Sequence, residues 1–176
     1  MATEETSIAT IDQCRSEDGS SRPTLLRVGN VYSFFFFVSG KPVAKARPRT
    51  TRSGHTYTPD STVTWEQNIG WQVREQLSRL ASEGISLPLP FEGRVIIDMR
   101  FNFDKPKTTP KKVKHKLKKP DYDNLAKSIT DVLQAGGMGI GLFRDDSQVT
   151  DCTITKRFSS EGHPQGVEIE LCCWVG

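Results

Sequence analysis

Two features that would place a protein in or across a membrane are missing from these 176 residues. No apolar run approaches the ~20 residues that a membrane-spanning helix requires. The first residues, MATEETSIATIDQ, have neither the basic nor the apolar region of a secretory signal. A cytoplasmic protein with no membrane partner is expected. Cysteine is scarce as well: Cys14, Cys152, Cys172 and Cys173 show no C-x-x-C spacing and no framework of a small secreted fold. Cys172 and Cys173 are adjacent and on a strand would face opposite ways, so reduced structural thiols are expected, not a zinc site. The three histidines, His55, His115 and His163, are scattered and read as surface residues.

Charge is present in an uneven form. The net charge of +3 conceals a run at 105–119, KPKTTPKKVKHKLKK, with eight lysines and no acid. The 16 basic and 21 acidic residues elsewhere leave the rest of the chain at −5. A second stretch, KPVAKARPRTTR at 41–52, adds Lys41, Lys45, Arg47, Arg49 and Arg52, again without acid. Charge concentrated in this way suits a polyanionic partner, although a solvated loop has the same composition. Lys41, Lys45, Arg47, Arg49, Lys111, Lys112, Lys114, Lys118 and Lys119 are the candidate nucleic-acid contacts.

Residues 1–28 are rich in Ser, Thr and Glu without periodicity and read as a flexible tail; residues 29–176 read as one ordered domain. Val31 to Val38, with four consecutive phenylalanines, has the length and apolarity of a buried strand. Pro59-Asp60 starts a helix in which Val63, Ile69, Val73, Leu77 and Leu80 recur until Gly84, with Trp65 and Trp71 expected in the core. RVIIDMRFNF alternates as a strand. A second helix carries Leu125, Ile129, Val132 and Leu133 on one face and ends at GGMGIG. DSQVTDCTITKRF and GVEIELCCWV are two further strands. The predicted order is β-α-β-α-β-β: an α/β fold with a small mixed sheet and two main helices.

The chemistry concentrates in KKPDYDNLAKSITDVLQ. If Pro120 to Asp123 is extended, Asp121 and Asp123 point to one side. Two convergent carboxylates are costly unless a cation neutralises them, and Mg²⁺ takes one or two carboxylates together with substrate phosphate and water. The plainer alternative is that Asp123 or Asn124 caps the helix. Lys127 sits one turn further on; it either pairs with Asp123 or Asp131 or stabilises charge on a reacting phosphate. Asp145-Asp146 follows the glycine loop at the start of a strand, where neighbouring side chains diverge, so at most one of them is expected to join the site.

KPDYDNLAKSITDVL with the downstream FRDDSQV, and VSGKPVAKARPR with YTPD upstream, resemble the RusA-type Holliday junction resolvases across roughly residues 33–156. The resemblance implies a homodimeric, Mg²⁺-dependent nuclease, with Mn²⁺ as a substitute, that resolves four-way DNA junctions by paired nicks in recombination and repair. Residues 29–176 would be its nuclease domain. By the same resemblance Asp121, Asp123 and Asp146 would be metal-binding carboxylates, Lys127 the catalytic lysine and Asp145 a weaker candidate. QAGGMGIGLFR, before Asp145, is a few residues longer than the family pattern. Alternatives kept open are a less selective branched-DNA nuclease, a non-catalytic junction-binding module, and a sugar transferase using D-Y-D as its metal motif.

Overall fold

The computed structural model describes residues 24–136 and 139–175. Strands β1 (Thr24–Val28), β2 (Val31–Ser39), β5 (Val95–Phe103), β6 (Val149–Phe158) and β7 (Gly166–Trp174) form one sheet in the order β1-β2-β7-β5-β6. The β5–β6 pair is parallel and the others are antiparallel, so the sheet is mixed as expected. Two strands of two residues each, β3 (Arg49–Thr50) and β4 (Thr56–Tyr57), make a small hairpin within and just beyond the first basic stretch. The helices are α1 (Asp60–Ser82) and α2 (Tyr122–Leu133).

Strand β1 corrects the boundary drawn at residue 28. Gly29, at φ +60°, and Asn30 close a two-residue turn that folds Thr24–Val28 back onto Val31–Phe35. The rest of the expected tail, including Cys14, lies outside the described residues. So do Gly137 and Met138 of the glycine loop.

Alternation along β2 buries Tyr32, Phe34, Phe36 and Val38. These residues meet Ile97, Met99 and Phe101 of β5, Val167, Ile169 and Leu171 of β7, and Leu125, Ile129, Val132 and Leu133 of α2 in one core. Complete burial of each such side chain stabilises the fold by about 1.5–3 kcal/mol. Cys173 is buried in the same core and Cys172 is only half-buried, as opposite faces of a strand require. Beyond β1, the outer edge of β2 is closed by α1. Gln76 exchanges hydrogen bonds with the Phe37 N–H (3.3 Å) and carbonyl (3.0 Å), and Gln72 does the same for Ser39 (2.9 and 3.0 Å).

Trp65 is buried as expected, but Trp71 is 64% exposed. It lies two residues from both Ile69 and Val73, about 200° round the helix from that buried stripe. α2 links the parallel strands β5 and β6, so it must return the full length of the sheet before β6 can begin. That return path decides where the acidic residues lie.

Candidate active site

Asp121 is the N-cap of α2, with extended backbone (φ −72°, ψ 144°), and its side chain makes no capping hydrogen bond. The extended segment therefore ends at Asp121, one residue into the motif. Tyr122 already begins the helix and is 63% exposed. Asp123 lies in the first turn, where its Oδ1 is 3.5 Å from Asn124 Nδ2, the outer limit of a hydrogen bond. Neither capping by Asp123 nor capping by Asn124 is what the structure shows. Both carboxylates are exposed beside the unsatisfied N–H groups of the helix start, the positive end of its dipole.

Lys127 is exposed one turn further along and takes part in no ion pair among the described residues. Asp131, its candidate partner, is bound elsewhere: Lys45 Nζ lies 3.2 Å from Asp131 Oδ2 and 2.5 Å from Glu66 Oε1. The Lys45 backbone N–H also donates to the Asn124 carbonyl (2.8 Å). Burial would lower the Lys45 pKa, but Glu66 and Asp131 outweigh it and hold the ammonium above its ordinary 10.5. Read from sequence as a nucleic-acid contact, Lys45 is in the structure a tether joining the basic stretch, α1 and α2. Lys41, Arg47 and Arg49 are exposed.

The lysine run is fastened to β6. The Phe158 N–H donates to the Lys114 carbonyl (2.8 Å), and the Lys116 N–H to the Lys156 carbonyl (3.1 Å). Lys156 Nζ donates to the carbonyls of Pro120 (2.7 Å) and Lys118 (3.3 Å), directly behind Asp121. Lys105 bonds the carbonyls of Lys111 and Val113, closing the loop from inside. Lys111, Lys112, Lys114, Lys118 and Lys119 point into solvent from this frame, as does Leu117 at 88% exposure.

The second acidic pair does not open a strand. Asp145 caps a short 3-10 helix, Asp146–Gln148, in a reciprocal capping box: its side chain accepts from the Ser147 N–H (3.0 Å). Hydrogen bonds from Ser147, through side chain and backbone, hold the Asp145 carboxyl below its ordinary 3.8. Gln148 organises the turn. It accepts from the N–H groups of Arg144 (2.7 Å) and Asp145 (3.0 Å) and donates to the carbonyls of Phe91 (3.1 Å) and Gly93 (2.8 Å). Asp146 is left exposed, with its N–H on Gln134 Oε1 (3.0 Å) just past the end of α2.

Asp146 is therefore at the far end of α2 from Asp121 and Asp123. The 12 residues of α2 put them about 18 Å apart along the helix axis. Strand β6 gives the same answer: Asp146 precedes its first residue, whereas Lys156, which holds Pro120, lies seven residues along, about 23 Å. Among the described residues of one chain, no three acidic, histidine or cysteine side chains form a metal-binding group. The structure brings Asp121, Asp123 and Lys127 to one place and leaves Asp146 out. Sequence reading missed Lys156, Gln148, Gln134 and Glu66; only Gln148 had a signal, as the last residue of the D-D-x-Q motif.

The start of α2 thus presents exposed acid that caps nothing, an exposed lysine one turn on and exposed lysines in the adjoining loop. Residues 39–172 match the family model described as Endodeoxyribonuclease RusA, and that span includes every candidate site residue. The chain belongs to the RusA endodeoxyribonuclease family. Membership carries the family's activity, that of a divalent-metal-dependent nuclease acting on branched DNA junctions. An uncharacterized protein of Bacillus subtilis (strain 168), YqaN, is 29% identical over 133 residues, which cover 72% of this chain and 88% of the relative. No helix among the described residues is long and apolar enough to cross a membrane.

Proposed function

We propose that the protein is a homodimeric, Mg²⁺-dependent resolvase that cuts four-way DNA junctions by paired nicks, each site being assembled from two protomers. The observation that carries the reading is the start of α2, where Asp121, Asp123 and Lys127 stand exposed and unspent beside an ordered lysine loop. The donor set fits the metal: hard carboxylate oxygens held in no ion pair among the described residues are what Mg²⁺ takes, and Mn²⁺ accepts the same ligands.

Asp121 and Asp123 would hold the metal, and the partner's Asp146 would supply the third carboxylate, since an Asp146 on the same chain is out of reach. Bound metal supplies the positive charge that activates water and stabilises the attacking and leaving oxygens. Lys127 places its ammonium against the phosphate as negative charge grows there. Lys111, Lys112, Lys114, Lys118 and Lys119 grip flanking phosphates without reading sequence. A two-fold dimer presents two equivalent sites to a junction of matching symmetry, which turns single nicks into paired ones. Such an enzyme serves DNA recombination and repair in the cytoplasm.

The test is incubation with a synthetic four-way junction, a linear duplex and a flap, with and without Mg²⁺. Symmetric metal-dependent nicks in the junction alone support the proposal, and equal cutting of all three substrates replaces it with a general branched-DNA nuclease. Asp121→Asn is expected to abolish cutting while junction binding persists. An Asp121→Asn protein that cuts at the wild-type rate removes Asp121 from the site.

A further inference from the structure

The segment that carries the exposed lysines runs antiparallel beside the end of β6. His115 is bridged to Arg157, between the bond from Phe158 to Lys114 and the bond from Lys116 to Lys156. Successive side chains of such a segment point to opposite faces. Lys116 takes the inner side: it is half-buried, with its ammonium 5.1 Å from the centre of the Phe103 ring, a cation–π contact. Leu117 therefore takes the outer side and is 88% exposed. The usual order is inverted, with a lysine laid on a core aromatic and its leucine neighbour left in water. Burial of that leucine would have added to the stability of the fold. The backbone on both sides of it is fixed, by the Lys116 N–H to the Lys156 carbonyl (3.1 Å) and by Lys156 Nζ to the Lys118 carbonyl (3.3 Å).

Among the described residues the large hydrophobic side chains with the greatest exposure are Leu117 at 88%, Trp71 at 64% and Tyr122 at 63%. Trp71 lies on α1; the other two bracket Asp121. Lys118 and Lys119 follow Leu117 directly and Lys114 precedes it, all exposed. A second copy of this loop is a poor cover for Leu117, since a two-fold contact there would set one run of eight lysines against another. The partner that fits is a polyanion with apolar faces between its charges, and nucleic acid has that form, with phosphates outside and base faces within. Apolar side chains, leucine among them, enter DNA at base steps and partially unstack them. Four extended residues span at most about 14 Å, so Leu117 acts within about four base steps of a phosphate held at Asp121.

We infer that Leu117 is a wedge for the branch point: it enters between the base pairs that end at the crossover, while Lys118 and Lys119 hold phosphates beside it. The inference rests on the junction-cutting reading above and assigns the preference for branched DNA to one side chain. Lysines grip the phosphates of branched and linear DNA alike. In a linear duplex every inner base pair is stacked on both sides, so entry has to break a stack. At a crossover the strands part, and the stack is already interrupted. Lys156 fixes the chain on both sides of the interval, at the Lys118 carbonyl and at the Pro120 carbonyl (2.7 Å), so the wedge also sets the distance from crossover to cut.

The test uses full-length protein and a four-way junction carrying 2-aminopurine, which brightens on unstacking, beside the crossover. Binding is read in EDTA, with a linear duplex of equal length as the comparison, and cut positions are read in Mg²⁺. Wild-type protein is expected to raise the fluorescence. Leu117→Ala is expected to bind the junction about tenfold more weakly, to leave the fluorescence flat at saturation and to spread the cuts over more positions. Its affinity for the duplex is expected to change little, and Leu117→Met is expected to restore the signal. A Leu117→Ala protein that binds the junction and brightens the probe as the wild type does overturns the inference and leaves the junction reading in place. Equal loss of affinity for junction and duplex overturns it too, since Leu117 then only shapes the lysine loop. So does loss of a sedimenting dimer in Leu117→Ala, which assigns the residue to a contact between copies. A wild-type protein that neither prefers nor cuts the junction overturns both the inference and the reading beneath it.

Discussion

Coexpressing Asp121→Asn with Asp146→Asn distinguishes a site within one chain from a site between two. A carboxylate oxygen lies about 2.1 Å from Mg²⁺, so two ligands of one ion are separated by only about 4 Å. The 12 residues of α2 hold Asp121 and Asp146 of one chain about 18 Å apart, far beyond that span. If the site is shared, a mixed dimer puts both substitutions into one site and leaves the other intact. Random assortment makes about half of the dimers mixed, so about a quarter of the wild-type number of sites survives. The assay is a labelled four-way junction in Mg²⁺, with products separated on native and denaturing gels. Each parent alone is expected to be inactive. The mixture is expected to nick at about a quarter of the wild-type rate, leaving single-nicked junctions with few resolved duplexes. A mixture as inactive as its parents, shown by tagged subunits to contain mixed dimers, refutes the shared site, because a site within one chain would carry one substitution in every copy.

Replacing Lys111, Lys112 and Lys114 together by Gln is expected to weaken junction binding and reduce the slope of log K against log[salt] by roughly 2 to 3, read from binding isotherms at several salt concentrations; an unchanged slope returns these lysines to a solvated loop. Lys45→Met leaves the buried Glu66 carboxylate uncompensated and is expected to cost about 2 kcal/mol in denaturant melts, with little effect on that slope. Adding Glu66→Gln to Lys45→Met is expected to recover most of the loss. Burial opposes ionisation of Glu168, but Asn102, Arg157 and His163 outweigh it and hold its carboxyl below the ordinary 4.5. A depressed folded-state value means that its contribution is complete above about 4.5 and disappears as pH falls through the lower value. Arg157→Met is therefore expected to flatten the acid limb of a stability-against-pH curve, and an unaltered limb would show that other groups set it.

Helix α2 was legible because its apolar spacing and its tertiary contacts agree: the residues predicted to share a face are buried together. Asp121 and Lys127 were legible for a local reason, since a helix start and the next turn are set by sequence neighbours. Strand β1 was not, although Gly29-Asn30 between short apolar runs was a hairpin signal. The polar composition of the preceding residues outweighed it. Trp71 shows the limit of composition: a large aromatic two positions from Ile69 faces away from the core whatever its hydrophobicity. Asp146 was identified as a residue type but not located. Its distance from Asp121 follows from the parallel crossover, which is a property of the sheet and not of any local motif. The same applies to Lys45, whose partners Glu66 and Asp131 come from two different helices.

The fastening of the lysine loop to β6 bears on the thermodynamics of capture. Fixing a backbone residue costs about 1–2 kcal/mol of conformational entropy. In a slack basic loop that cost would be charged against DNA affinity at each encounter. Here the bonds from Lys156, Lys116, Phe158 and Lys105 meet it during folding, before any DNA arrives. A phosphate bound there would have only lysine side chains left to order. If the loop grips DNA as proposed, it does so as a preordered surface, and its association rate is expected to follow charge and ionic strength, not loop closure.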